Sequence, residues 1–136
     1  MYLLVDVHVD AKIINRDSKE KDKRTLVAFV VDGKEPEFEE IYEKDASETD
    51  AAELYAIDFA MRRLGKTDGK FRLLCDNESV VDVLLRPDPK FKSKTREITK
   101  KVWNLLHESD KFQIELFLNK ADKFLNVKWK EIKDEQ

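Results

Sequence analysis

The strongest constraint on the fold is a change of hydrophobic period along the chain. From Leu3 to Asp10 the residues alternate, with Val5, Val7 and Val9 on one face and Asp6, His8 and Asp10 on the other. Thr25 to Val31 is an almost unbroken apolar run closed by the turn pair Asp32-Gly33, and Phe38 to Glu43 alternates weakly as a strand at or near an edge. The period then lengthens. Ile57, Ala60, Met61 and Leu64 recur at helical spacing between the cap candidates Ser47-Glu48-Thr49-Asp50 and a stop at Gly65. A strand pattern returns at Phe71 to Cys75, helical patterns at Glu78 to Leu85 and Lys94 to Ser109, and a last strand at Phe112 to Leu118. Lys120 to Lys133 closes the chain as a helix carrying Ala121, Leu125, Trp129 and Ile132. The order β-β-β-α-β-α-α-β-α predicts an α/β fold, a mixed sheet covered by helices, built as one domain over residues 1–136.

Composition supports that expectation and narrows the setting. Charged residues make up 40% of the chain, but the 41% that are hydrophobic are clustered and periodic, which argues for a packed core over disorder. The net charge of −3 does not advertise nucleic-acid binding, although an acidic metal site would itself pull the total down. The single cysteine, Cys75, excludes an intrachain disulfide and suits a reducing compartment. The first apolar run is short and interrupted by Asp6 and His8, unlike a signal peptide, and no stretch is long enough to span a membrane. The expectation is a cytoplasmic protein with no membrane partner; the sequence leaves oligomeric state open.

Four acids stand where element edges project a carboxylate inward: Asp10, Glu53, Asp76 and Asp122. Each has a structural explanation of its own. Asp10 reads as a turn-initiating residue at a strand exit, and Asp76 as a cap for the helix at Glu78. Glu53 and Asp122 sit in first helical turns, where the macrodipole favours an acid. The dipole explains the place of Glu53 along its helix, but not its position on the face shared with Ile57. Carboxylates brought together without a cation repel one another, and the usual remedy is a hard divalent metal.

Taken in order, the motifs resemble the ribonuclease H superfamily, specifically type I ribonuclease H. Val9-Asp10-Ala11-Lys12 is similar to that family's first-strand end, and Thr49-Asp50-Ala51-Ala52-Glu53-Leu54-Tyr55-Ala56 to its first-helix motif. Cys75-Asp76-Asn77-Glu78-Ser79-Val80 resembles the Asp-Ser-x-x-Val that opens the helix after the fourth strand. Asn119-Lys120-Ala121-Asp122 resembles the Asn-x-x-Ala-Asp signature, shortened by one residue. The resemblance implies a five-stranded mixed sheet of order 3-2-1-4-5. It also implies that Asp10, Glu53, Asp76 and Asp122 are catalytic and bind two Mg²⁺ or Mn²⁺ ions, with Asp10 bridging. The activity it implies is endonucleolytic hydrolysis of the RNA strand of RNA–DNA hybrids by a two-metal mechanism.

Around these acids, Lys12, Asn77, Lys92, Lys94, Arg96 and Asn119 are the candidates for contacting nucleic acid. The basic stretch Lys90 to Arg96, continued by Lys100 and Lys101 and interleaved with Phe91 and Trp103, suits a phosphate backbone and equally a solvated helix. His8 and Asp6 share the strand face of Asp10 and are candidates to orient it. His107 reads as a helix C-terminal histidine satisfying the dipole, and Cys75 as a small core residue. Several positions depart from the family pattern. Ala11 replaces a glycine, Asp50 stands where the family often has a groove-reading asparagine, and the loop carrying a mobile histidine before the last aspartate is absent. A carboxylate at position 50 donates no hydrogen bond and repels phosphate. The alternative expectation is therefore a catalytically weak or inactive module of the same fold that binds nucleic acid or a protein partner.

Overall fold

The computed structural model describes residues 3–13, 23–43, 49–91 and 95–117. Within them run β1 (Leu4–Ile13), β2 (Lys23–Val31), β3 (Glu37–Glu43), α1 (Thr49–Leu64), β4 (Lys70–Cys75), α2 (Glu78–Leu85), α3 (Arg96–His107) and β5 (Phe112–Leu116). The helix expected over 120–133, and with it Asp122 and Asn119, lies outside the described residues, as do Lys92 and Lys94.

The five strands form one mixed sheet of order β3-β2-β1-β4-β5, the order expected. β1, β2 and β3 are an antiparallel meander in which Val9 faces Phe29 and Val27 faces Glu39. Gly33 turns β2 toward β3 at a φ of 80°, which a side chain would resist. β4 then joins β1 in parallel, from Leu4 beside Lys70 to His8 beside Leu74, and β5 joins β4 in parallel. Parallel partners need a crossover, and the helices supply it.

α1 is the centre of the molecule. Its Leu54, Ala56, Ile57, Phe59, Ala60 and Met61 are all buried, a wider apolar surface than the single stripe the sequence suggests. The small Ala51, Ala52, Ala56 and Ala60 let it lie close against its neighbours, and it packs on β1 and β2 on one side and α3 on the other. Phe59 meets Phe29 edge to face at 5.2 Å, tying helix to sheet. At the end of α1, a Cβ on Gly65 would stand 2.8 Å from the Met61 carbonyl, so glycine here serves close backbone approach.

Two boundaries differ from expectation in ways that matter for function. β1 does not end at Asp10 but continues to Ile13, held by β2 through Lys12 opposite Leu26 and Ile13 opposite Thr25. α1 begins at Thr49, so Thr49 and Asp50 are inside the helix rather than capping it.

Candidate metal centre

The site forms at the carboxyl ends of the parallel strands. Pairing of β1 with β4 stops at His8 beside Leu74; carried two residues further, the same register sets Asp10 level with Asp76. On the other side of β4, the Phe117 N–H donates to the Cys75 carbonyl at 2.9 Å, bringing the end of β5 to the same level. The carboxyl ends of parallel strands are where ligands collect in such sheets.

Asp10 is buried within a continuing strand, so the explanation as a turn initiator at a strand exit fails. Its Oδ1 accepts from the Ala11 N–H at 2.9 Å. Nor is Asp76 a helix cap. Asn77 caps α2, its side-chain oxygen accepting from the Val80 N–H at 3.1 Å, while Asp76 is exposed beside it. Glu53 comes from the first half of α1 and is only 5% exposed.

These acids meet. Glu53 stands beside the Asp10 carboxyl, and one oxygen each from Glu53 and Asp76 lies within 4.8 Å of the other and of the Cys75 sulfur. Burial, then the charges of Asp10 and Asp76, push the Glu53 carboxyl well above the usual carboxylate range; an N–H from Ala11 partly opposes this. Burial and the nearby Glu53 charge push the Cys75 thiol up to about 12, so at neutral pH it is protonated and a poor nucleophile. Among the described residues, Glu53 Oε2 is fully buried with no hydrogen-bond partner. A desolvated carboxylate oxygen set among other carboxylates fits a divalent cation.

The remaining candidates divide. Asp6 is committed elsewhere, its Oδ1 accepting from Arg72 Nε at 2.7 Å across the parallel register. His8 stands two residues from Asp10 with its ring edge-on to Phe117 at 5.6 Å. Lys12 and Arg96 are exposed, on β1 and at the start of α3. Asn77 is spent on structure: besides capping α2, its side-chain N–H donates to Asp50 Oδ1 at 2.9 Å and locks the first turn of α1 to α2.

In the basic region, Lys90, Arg96 and Lys100 are exposed, while Lys101 faces Asp58 at 3.5 Å. Phe91 lines a small cavity of about 40 Å³ with Leu54, Val80 and Thr95. Trp103 donates to the Arg86 carbonyl at 2.9 Å and stacks on His107 at 4.2 Å, so its ring is occupied with structure. His107 stands in the last turn of α3, as expected, and bonds the Leu84 carbonyl at 2.8 Å, so it also serves the end of α2.

The residue that sequence reasoning missed is Cys75. Apolar neighbours make it read as core, and it is buried; only the end of β4 immediately after it brings its sulfur to the acids.

Comparison with solved structures matches this architecture. Over 98% of this chain and 100% of its own, RNase H1 from the halophilic archaeon Halobacterium salinarum superposes with a TM-score of 0.73 at 16% identity. The fold is that of ribonuclease H. The N-terminal RNase H domain of a Mycobacterium tuberculosis protein gives a TM-score of 0.63 at 14% identity, covering 93% of this chain and 95% of that one. LC11-RNase H1, solved in complex with an RNA/DNA hybrid, gives 0.56 at 10% identity over 83% of this chain and 84% of its own. No family model matches the sequence, and no curated protein matches it either. The ribonuclease H-like fold is thus carried here by a sequence far from its structural neighbours. Among the described residues, no helix is long and apolar enough to cross a membrane.

Proposed function

We propose that this chain is a divalent-metal-dependent endonuclease that hydrolyses the RNA strand of RNA–DNA hybrids. In this reading Asp10, Glu53 and Asp76, joined by Asp122, hold two Mg²⁺ or Mn²⁺ ions. The observation that carries it is Glu53: a buried carboxylate with an unpartnered oxygen, placed against Asp10 and Asp76 at the carboxyl end of the sheet. A structural role would supply a cation or a hydrogen-bond donor for that oxygen. A metal role leaves it open.

Bound there, a pair of ions would supply an activated water and a stabilised leaving oxygen for in-line displacement at phosphorus. The residues of the chain supply position. Burial in α1 fixes Glu53, the Ala11 N–H orients Asp10, and exposed Asp76 forms the side open to substrate. Phe117 is anchored to β4, five residues before Asp122 in the sequence. Exposed Lys90, Arg96 and Lys100 offer charge for a phosphate backbone. The hybrid substrate is argued from the LC11-RNase H1 complex and from the order of the motifs. The lone cysteine suits work in a reducing compartment such as the cytoplasm.

One observation favours a weaker enzyme or a binding module. Asp50 and Asn77 satisfy each other, so the amide that the resemblance would turn toward nucleic acid already holds two partners. The deciding experiment incubates the protein with labelled hybrid, duplex RNA and single strands in Mg²⁺ or Mn²⁺, beside an Asp10→Asn variant. Cleavage of the hybrid's RNA strand by the wild type alone is the expected result. Hybrid binding without cleavage selects the second reading, and cleavage by both proteins overturns the assignment of Asp10.

A further inference from the structure

Cys75 is the chain's one cysteine, and the reaction proposed above has no use for it. Its side chain is enclosed at the end of β4, yet it faces the acids: its sulfur and one oxygen each from Glu53 and Asp76 lie within 4.8 Å of one another. Two further features distinguish it from an ordinary packed thiol. Glu53 Oε2 is buried without a partner. Asp76 is exposed, which gives the trio an opening to solvent.

Around a tetrahedral zinc-class ion, sulfur lies at about 2.3 Å and carboxylate oxygen at about 2.0–2.2 Å, so neighbouring donors are roughly 3.5 Å apart. The three donors here lie within 4.8 Å of one another, near that spacing. Thiolate selects thiophilic metals, whereas carboxylates alone suit magnesium and manganese.

We infer that Glu53, Cys75 and Asp76 form a mixed oxygen–sulfur site for one thiophilic divalent cation of the zinc and cadmium class. The inference rests on the metal-centre reading of Glu53 and Asp76 and adds Cys75 to it. Because two ligands are shared, such an ion and the hard ions exclude each other, and a zinc-class ion acts as an inhibitor. On binding, the S–H bond breaks, the proton passes to solvent, and a sulfur–metal bond forms with no change of oxidation state; water completes the coordination.

The test is a cadmium titration of the full chain, followed by the ultraviolet thiolate-to-cadmium charge-transfer band, with manganese binding followed separately by electron paramagnetic resonance. With a single cysteine, the band reports Cys75 alone. The expected result is a band saturating at one cadmium per chain and suppressed by excess manganese. It is absent from Cys75→Ala, which still binds manganese. In Glu53→Gln the cadmium affinity falls by at least the ~10-fold that even an indirect metal-site partner contributes. Circular dichroism checks that each variant is folded, and Cys75→Ser replaces the alanine variant should that one not fold. Manganese binding with no cadmium band in the wild type overturns this inference and leaves the metal centre standing. Failure to bind either ion overturns both. A band unchanged in Glu53→Gln places the ion on the thiol alone and overturns the shared site.

Discussion

Glu53 and Asp58 are buried acids five residues apart on α1, 5% and 3% exposed, and they have opposite surroundings. Asp58 Oδ2 accepts from Arg62 Nε at 2.9 Å, and its Oδ1 faces Lys101 Nζ at 3.5 Å. Its charge is answered from its own helix and from α3. Glu53 is answered by more acid, Asp10 and Asp76, and among the described residues the contact that opposes them is the Ala11 N–H. A fold tolerates a buried charge when a counter-charge is built in. Where none is built in, the acid takes up a proton or, on the reading proposed above, a cation from outside the chain.

The widest break in this comparison is catalytic. Asp10→Asn and Glu53→Gln should each lower hybrid cleavage by about 10²-fold or more, the scale of removing one preorganised electrostatic group, while Asp58→Asn leaves the rate per folded molecule near wild type. Single-turnover assays on hybrid measure this. On stability the order reverses. Asp58→Ala should cost about 2 kcal/mol in urea unfolding, since Arg62 and Lys101 lose their buried acceptor but remain half in water.

Mn²⁺ at about 100 times its dissociation constant should stabilise the wild type by about 2.7 kcal/mol and Glu53→Gln by much less, read as a shift in thermal midpoint.

A smaller effect appears in pH dependence without metal. The Glu53 carboxyl in the fold titrates above its ordinary value of 4.5, so between that pH and the raised one the native state holds a proton that the unfolded chain has released. Stability therefore falls as pH rises through this window. Glu53→Gln should flatten the fall, and unfolding midpoints measured from pH 4 to 8 check it. The smallest expected effect lies far from the acids: Trp103→Phe should cost about 1 kcal/mol, the worth of its hydrogen bond to the Arg86 carbonyl.

The contrast between the two acids was only partly legible in the sequence. Glu53 falls on the helical face of Ile57, which marks it as inward-facing. Asp58 carries no such mark: it adjoins that face, and its partner Lys101 is far along the chain, so only tertiary packing shows that it is buried and paired with cations. Asp10 and Asp76 looked like a turn residue and a cap because local rules place acids there. β1 runs on to Ile13 through pairing with β2, and Asn77 takes the cap, neither of which a local rule decides. Cys75 is the core residue its apolar neighbours predict, but nothing local tells a buried thiol at a strand end beside acids from one in mid-strand.

What the sequence determined by itself is the order of elements and the sheet they can form, because a period of two or of about 3.6 is written into neighbouring residues. Which side chains meet was decided by the parallel register of β1 with β4 and by the seating of α1 on the sheet. Those are contacts between distant segments, and they set Glu53 against Asp10, Asp76 and Cys75 while giving Asp58 its cations. The physical reason is that hydrophobic patterning acts on faces and leaves the choice of partners across a face to packing.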